Sequence, residues 1–195
     1  MPILFEFRSG TFLGWKEWVD EELSNTGFMV VLWQAGMLKA IISSRCLSNY
    51  RDLFNLRHLV RRWCSTTHTF FLSCGKIIMT FEDMVNQLLL PIIGDVDPSN
   101  IELSTKEEAM EAKLKKGMSG NVKLSHWVGA FSKASNVVCY AAFVAFWLYK
   151  FIFGSYPHYV VKPLYFWLAI KISARVSLSL APMFLVHLYV QLDIL

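Results

Sequence analysis

The chain has 195 residues, a formal net charge of +4, and 54% hydrophobic against 17% charged residues, with a mean hydropathy of +0.39. Ordinary soluble domains run at roughly 45–50% apolar, so a chain disordered throughout is excluded: it has ample apolar surface to offset its conformational entropy. Residues 1–124 carry 14 basic and 14 acidic side chains, whereas residues 125–195 carry Lys133, Lys150, Lys162, Lys171 and Arg175 against Asp193 alone. A surplus this small does not by itself identify a nucleic-acid partner.

Residues 1–14 read as an N-terminal tail and residues 15–195 as a single region. The opening MPILFEFRSG is too short and too charged for a secretory leader. The expectation for Cys46, Cys64, Cys74 and Cys139 is therefore reduced thiols in a cytosolic or nuclear protein. Trp15 to Leu23 predicts a short acidic helix. The stretch from about Phe28 to Cys46 is apolar nearly all round, and Gly36 argues against one continuous helix there.

Ser48-Asn49 offers an N-cap, with Asp52 in the first turn of a helix running to about Trp63. Leu53, Leu56, Val60 and Trp63 form one apolar stripe. Arg51, Arg57, His58, Arg61 and Arg62 fall within roughly 140° on another side, at about 100° per residue. Next come two β-prone runs, Thr67–Leu72 and Ile77–Thr80, joined by a turn containing Cys74 and Gly75, which predict a β-hairpin over about residues 67–80. Thr80 caps the following helix, with Asp83 as the short member of a capping box, and Pro91 stops it.

Gly94 to Asn100 reads as a polar loop, and Ser104 or Thr105 as the cap of a charged helix reaching about Lys116. A flexible break is expected near residues 117–124. Trp127–Phe131, Val137–Phe153, Leu164–Ser173 and Leu180–Leu192 all predict helices. The two most apolar stretches, Ala134–Tyr149 and Val176–Leu192, fall short of the roughly 20 apolar residues of a membrane span and read as buried core helices; membrane association is the least favoured reading. The fold class expected is mainly α, a multi-helix domain with one small β-hairpin. The chain stops at Leu195 inside an apolar segment, which is the expectation for a C-terminally incomplete domain.

The run LVRRW, THTFFL, CG, TFEDM and LPIIGD, within Leu59–Asp95, resembles the signature of the plant mobile domain family, whose members are often labelled "aminotransferase-like". The segments WKEWVDEELSN, AGMLKAI, DVDPS and SLSLAPMFLVHLYVQLD are similar to its transposon-related branch. On this resemblance the signature residues are Trp63, Thr67, His68, Phe70, Cys74, Gly75, Thr80, Glu82, Asp83, Pro91 and Gly94. Relatives often carry an acidic residue where Lys76 stands and a Leu-Gly pair where Leu89-Leu90 stands. The resemblance implies a nuclear protein tied to transposable-element silencing, gene expression and meristem maintenance. It also implies as partners a PP7-type protein phosphatase and other plant mobile domain proteins.

Chemistry read from the residues is sparse. Lys39, Lys150 and Lys171 lie in apolar surroundings without the phosphate loop that a pyridoxal phosphate enzyme needs. Cys64, His68 and Cys74 with His58 lack the paired knuckles of structural zinc sites. Cys74 beside His68 has no third residue to orient the histidine, and Asp95 and Asp97 read as turn residues. No enzyme, cofactor or metal is expected. The basic residues 51–62 stay open between phosphate contact, a protein partner, and a solvated face pairing with Asp52 and Asp20–Glu22. Of Phe70 and Phe71, which point to opposite faces of a strand, one belongs to the core and the other is available to an interface.

Overall fold

The computed structural model describes residues 8–9, 14–45, 49–50, 52–117, 124–131, 136–154 and 161–194. The architecture is mainly α-helical, with a small antiparallel sheet, as the periodicities predict.

Its centre is α8 (Asn136–Trp147), which runs on into one π-helical segment, Leu148–Ile152. Every side chain from Ala141 to Tyr149 is buried. A helix apolar on all sides must be covered on all sides, and the neighbours do this. α7 (Leu124–Phe131), α6 (Thr105–Lys116) and α9 (Phe166–Ser173) pack directly on it. α1 (Trp15–Ser24) reaches it through rings: Trp15 stacks on Phe143 and Phe146 at 5.1 and 5.2 Å, and Trp18 meets both edge-on. Such pairs add about 0.5–1.5 kcal/mol each beyond area burial.

Several polar groups in this core are partnered, although the buried Trp15 indole nitrogen has no hydrogen-bond partner. The Trp127 indole donates to the Ala142 carbonyl, and the Trp147 indole to Ser44 Oγ. Glu22 is buried and accepts from Trp18 Nε1 at 3.1 Å and from Cys139 Sγ at 2.8 Å. Burial first, and then the bond to Glu22, pushes the Cys139 thiol up to about 12, so it stays a thiol and a donor.

Local chemistry sets the boundaries. Asn25 ends α1 and caps α2 (Thr26–Gln34), its side chain accepting from the Gly27 and Phe28 amides. Gly36, at φ 72°, then breaks the chain before α3 (Leu38–Ser44), and the two helices meet at 113°. The expected interruption is therefore real. Ser104 caps α6 through a capping box with Glu107, whose carboxylate also takes Lys171 of α9 at 2.8 Å. Gly117 follows α6 and lies so close to the Phe131 ring that a Cβ there would sit 2.4 Å from it. The break expected near 117–124 otherwise falls on residues 118–123, outside the described residues.

A second body of structure, called the wing here, spans residues 52–96. It comprises α4 (Leu53–Val60), the sheet β3 (Trp63–Cys64), β4 (Thr69–Leu72) and β5 (Gly75–Ile77) in that order, and α5 (Phe81–Leu88). The short strands β1 (Arg8–Ser9) and β2 (Asn49–Tyr50) pair antiparallel just before it. The predicted hairpin is present, but narrower than residues 67–80, and a third strand flanks it: Trp63 pairs with Phe70 and Cys64 with Thr69. The wing is held by α10 (Leu180–Ile194), which packs on α5 and β3. No single described helix is long and apolar enough to cross a membrane.

Candidate interaction surface

Asp52, and not Ser48 or Asn49, caps α4. Its Oδ1 accepts from the Asn55 amide and its Oδ2 from the Asn55 side chain. Ser48 and Arg51 lie outside the described residues, and Asn49 is spent in β2. The helix stops at Val60, because Arg61 and Arg62 turn into β3, where the Arg62 carbonyl accepts from the Phe71 amide.

The expected apolar stripe does not reach the core. Leu56 is 47% exposed, Val60 and Trp63 are half-buried, and no described side chain of α4 is buried. The Leu53 side chain lies outside what the structure describes. Amphipathic periodicity predicts a face to be covered, but among the described residues this face is covered only in part, at Val60 and Trp63.

The basic side is equally open. Arg57, His58, Arg61 and Arg62 are exposed, and the three arginines have no ion-pair partner among the described residues. Of the acids expected to neutralise them, Asp20 pairs with Arg45 at 2.7 Å, Asp52 caps α4 and Glu22 is buried, while Glu21 is exposed and forms no ion pair with them. Between them stands Phe54, 71% exposed, its ring edge-on to His58 at 4.5 Å. Sequence reasoning overlooked Phe54, although at 100° per residue it falls between Arg57 and His58 and away from Leu56 and Val60.

The signature residues take structural positions. Trp63 packs on Phe70, which is buried, while Phe71 faces outward under the Lys76 ammonium. Cys74 is exposed in the turn, and Gly75 takes φ 130°, which only glycine adopts readily. Thr80 and Asp83 form the expected capping box; donation from the Thr80 amide and hydroxyl holds the Asp83 carboxyl below its usual range. Glu82 is exposed in the same first turn, favourably placed against the helix dipole. α5 ends at Leu88, Leu89 taking a left-handed C-cap at φ 55°.

Among the described glycines, Gly94 makes the closest approach to another stretch of backbone. A Cβ there would lie 2.6 Å from the Ser179 nitrogen and 2.8 Å from the Leu178 backbone. Around it the Asp95 amide donates to the Ser177 carbonyl, the Ser177 amide donates to Asp95 Oδ2, and the Ala181 amide donates to the Pro91 carbonyl. Asp95 is thus a loop clasp.

His68 departs from expectation most clearly. It lies in a turn at φ 49°, not in a strand. Its Nε2 is 3.3 Å from Asp193 Oδ2, while Asp193 Oδ1 accepts from Trp63 Nε1 at 2.8 Å. The imidazole stacks on Tyr189, whose hydroxyl donates to the Met79 carbonyl. Cys64 bonds instead with Thr67 and Thr66; the Thr67 side chain, its main cause, holds the thiol below its usual value. The candidate ligands Cys64, His68, Cys74 and His58 therefore face different partners, and no group of three His, Cys, Asp or Glu suited to a metal occurs among the described residues. Asp193 and Tyr189, which anchor the wing, lie in a segment that carried the family resemblance, but nothing in the sequence gave them that role.

A family model, described as plant mobile domain, matches residues 36–195. The chain belongs to the plant mobile domain family. The match takes in α3 onward, including the whole wing and the central helix α8, so the wing and its α10 anchor are parts of the family's own domain. No curated protein and no solved structure matches the chain.

Proposed function

We propose that this plant mobile domain is a non-catalytic nuclear interaction module serving transposable-element silencing, gene expression and meristem maintenance. Its partners in this reading are a PP7-type protein phosphatase and other plant mobile domain proteins. The observation that carries the interaction part is α4: a helix held in place at its C-terminal end, yet open on its apolar and its basic side. A monomer gains nothing from exposing Phe54, Leu56 and Leu59, and exposed apolar groups beside unpaired charge are characteristic of contact surfaces. The nuclear and silencing roles rest on family resemblance.

The test is in plant cells. A fluorescent fusion should enter the nucleus and co-precipitate the phosphatase, and loss of the protein should raise transposon transcripts. Exclusion from the nucleus, or unchanged transcripts, would defeat the reading. Incubation with pyridoxal phosphate should give no Schiff-base absorbance; an absorbance abolished by replacing one lysine would make the protein an enzyme. A second reading, binding of DNA or RNA through residues 51–62, is favoured by the unpaired arginines. It requires a steep salt dependence of binding that flattens in Arg61→Glu and Arg62→Glu.

A further inference from the structure

We infer that α4 and the two arginines following it form a docking surface for a short acidic polypeptide segment carrying an apolar side chain for Phe54. This rests on the reading of the chain as an interaction module and specifies the chemistry of its partner. Phe54 lies between Arg57 and His58 on the basic face of the helix, and Arg61 and Arg62 follow its last turn. Leu59, 37% exposed, borders the face next to Arg62. A partner that buries Phe54 and Leu59 must also meet three guanidinium groups with no anion among the described residues. Carboxylates answer those donors bidentately, and an aromatic or aliphatic side chain answers the ring.

Charge decides between a peptide and a polyphosphate. The wing, residues 52–96, carries Arg57, Arg61, Arg62 and Lys76 against Asp52, Glu82, Asp83 and Asp95, four bases to four acids. Three of its four positive charges are thus gathered on α4 and just after it, while outside that segment the wing holds Lys76 against Glu82, Asp83 and Asp95. A long polyanion crossing the wing meets those three acids, whereas a short segment seated over Arg57, Arg61 and Arg62 does not. Phosphates also leave Leu59 wet, while a polypeptide can cover it. The face is presented on a fixed mount: the Arg62 carbonyl is bonded to Phe71, and Asp193 of α10 fixes Trp63. Less of the binding free energy then goes into ordering the surface.

Fluorescence anisotropy on the full chain tests this with four probes. The first is a helical peptide of about 20 residues, roughly 30 Å long, with glutamates flanking a phenylalanine and leucines. The others are its lysine-for-glutamate version, its serine-for-apolar version, and a DNA duplex of similar length. The acidic apolar peptide should bind at least tenfold more tightly than any other probe. Phe54→Ala and Arg57→Glu/Arg61→Glu should each weaken it at least tenfold with unchanged circular dichroism, while Val186→Ala, exposed on α10, should leave it alone. Equal binding of the acidic and lysine peptides, insensitivity to the α4 variants, or tighter binding of the duplex that is lost in the same variants would each overturn the inference. A protein excluded from the nucleus that still binds the peptide defeats the nuclear reading alone. A nuclear protein blind to the peptide defeats the docking surface alone.

Discussion

α8 and α4 have similar raw material and opposite fates. Both are rich in large apolar residues; α8 loses every side chain from Ala141 to Tyr149 to the interior, while no described side chain of α4 is buried. The difference lies in what surrounds them. Rings from α1 and the faces of α6, α7 and α9 close over α8, whereas α4 presents no buried side chain among the described residues and leads directly into the anchored strand β3. Hydrophobic content therefore marks the need for a cover, and topology decides whether the cover is internal.

The comparison can be broken by mutation, starting at the core. Phe143→Ala removes a fully buried ring that contacts Trp15, Trp18 and Phe28, and should cost about 4 kcal/mol in urea unfolding. Gly94→Ala drives a Cβ into the Leu178–Ser179 backbone and should cost on the order of 2–3 kcal/mol. Because that joint couples wing to core, hydrogen exchange should speed up in β4 and α5 before α8; a uniform change would mean that the two regions are one cooperative unit.

A third change acts on the pair joining α6 to α9. Burial works against the Glu107 carboxylate, but Lys171 and the Ser104 donors outweigh it and hold its folded pKa below the ordinary 4.5. Its stabilisation is therefore present above the unfolded value and lost as pH falls through the folded one. Glu107→Gln should cost about 2 kcal/mol at neutral pH and flatten the acid limb of the stability profile; an unchanged limb would remove Glu107 from the account. Asp193→Ala should cost only about 1 kcal/mol, but it should red-shift the tryptophan emission as Trp63 loosens from α10. Smallest of all, Phe54→Ser and Arg61→Ser should leave stability within about 0.5 kcal/mol. A larger loss would mean that α4 has an internal cover after all.

What could be read in the sequence was what is local. The Thr80–Asp83 capping box, the helix end ahead of Pro91 and the Gly36 break each depend on residues within a few positions and were expected; at α6 the cap falls on Ser104, one of the two positions offered, and its Glu107 partner was not foreseen. The division of labour between Phe70 and Phe71 was expected too, since it follows from strand alternation. The misses are non-local. Nothing near His68 announces a left-handed turn reaching Asp193, and the spacing of Leu56, Val60 and Trp63 could not say that no helix lies opposite. Gly94 was recognisable as a family signature residue, but its cause, the Leu178–Ser179 backbone far along the chain, was not.

The anchoring of the wing by Asp193 also has a consequence for timing. Trp63 and its carboxylate partner are separated by 130 positions, and ribosomes add roughly 5–20 residues per second. Trp63 thus emerges about 6–26 s before the residue that fastens it, on the same rates. During that interval the β3 indole lacks its acceptor and the wing has only its own sheet and caps to rely on. The local signals legible in its sequence, the capping box and the tight turn, are the ones available to it while it waits.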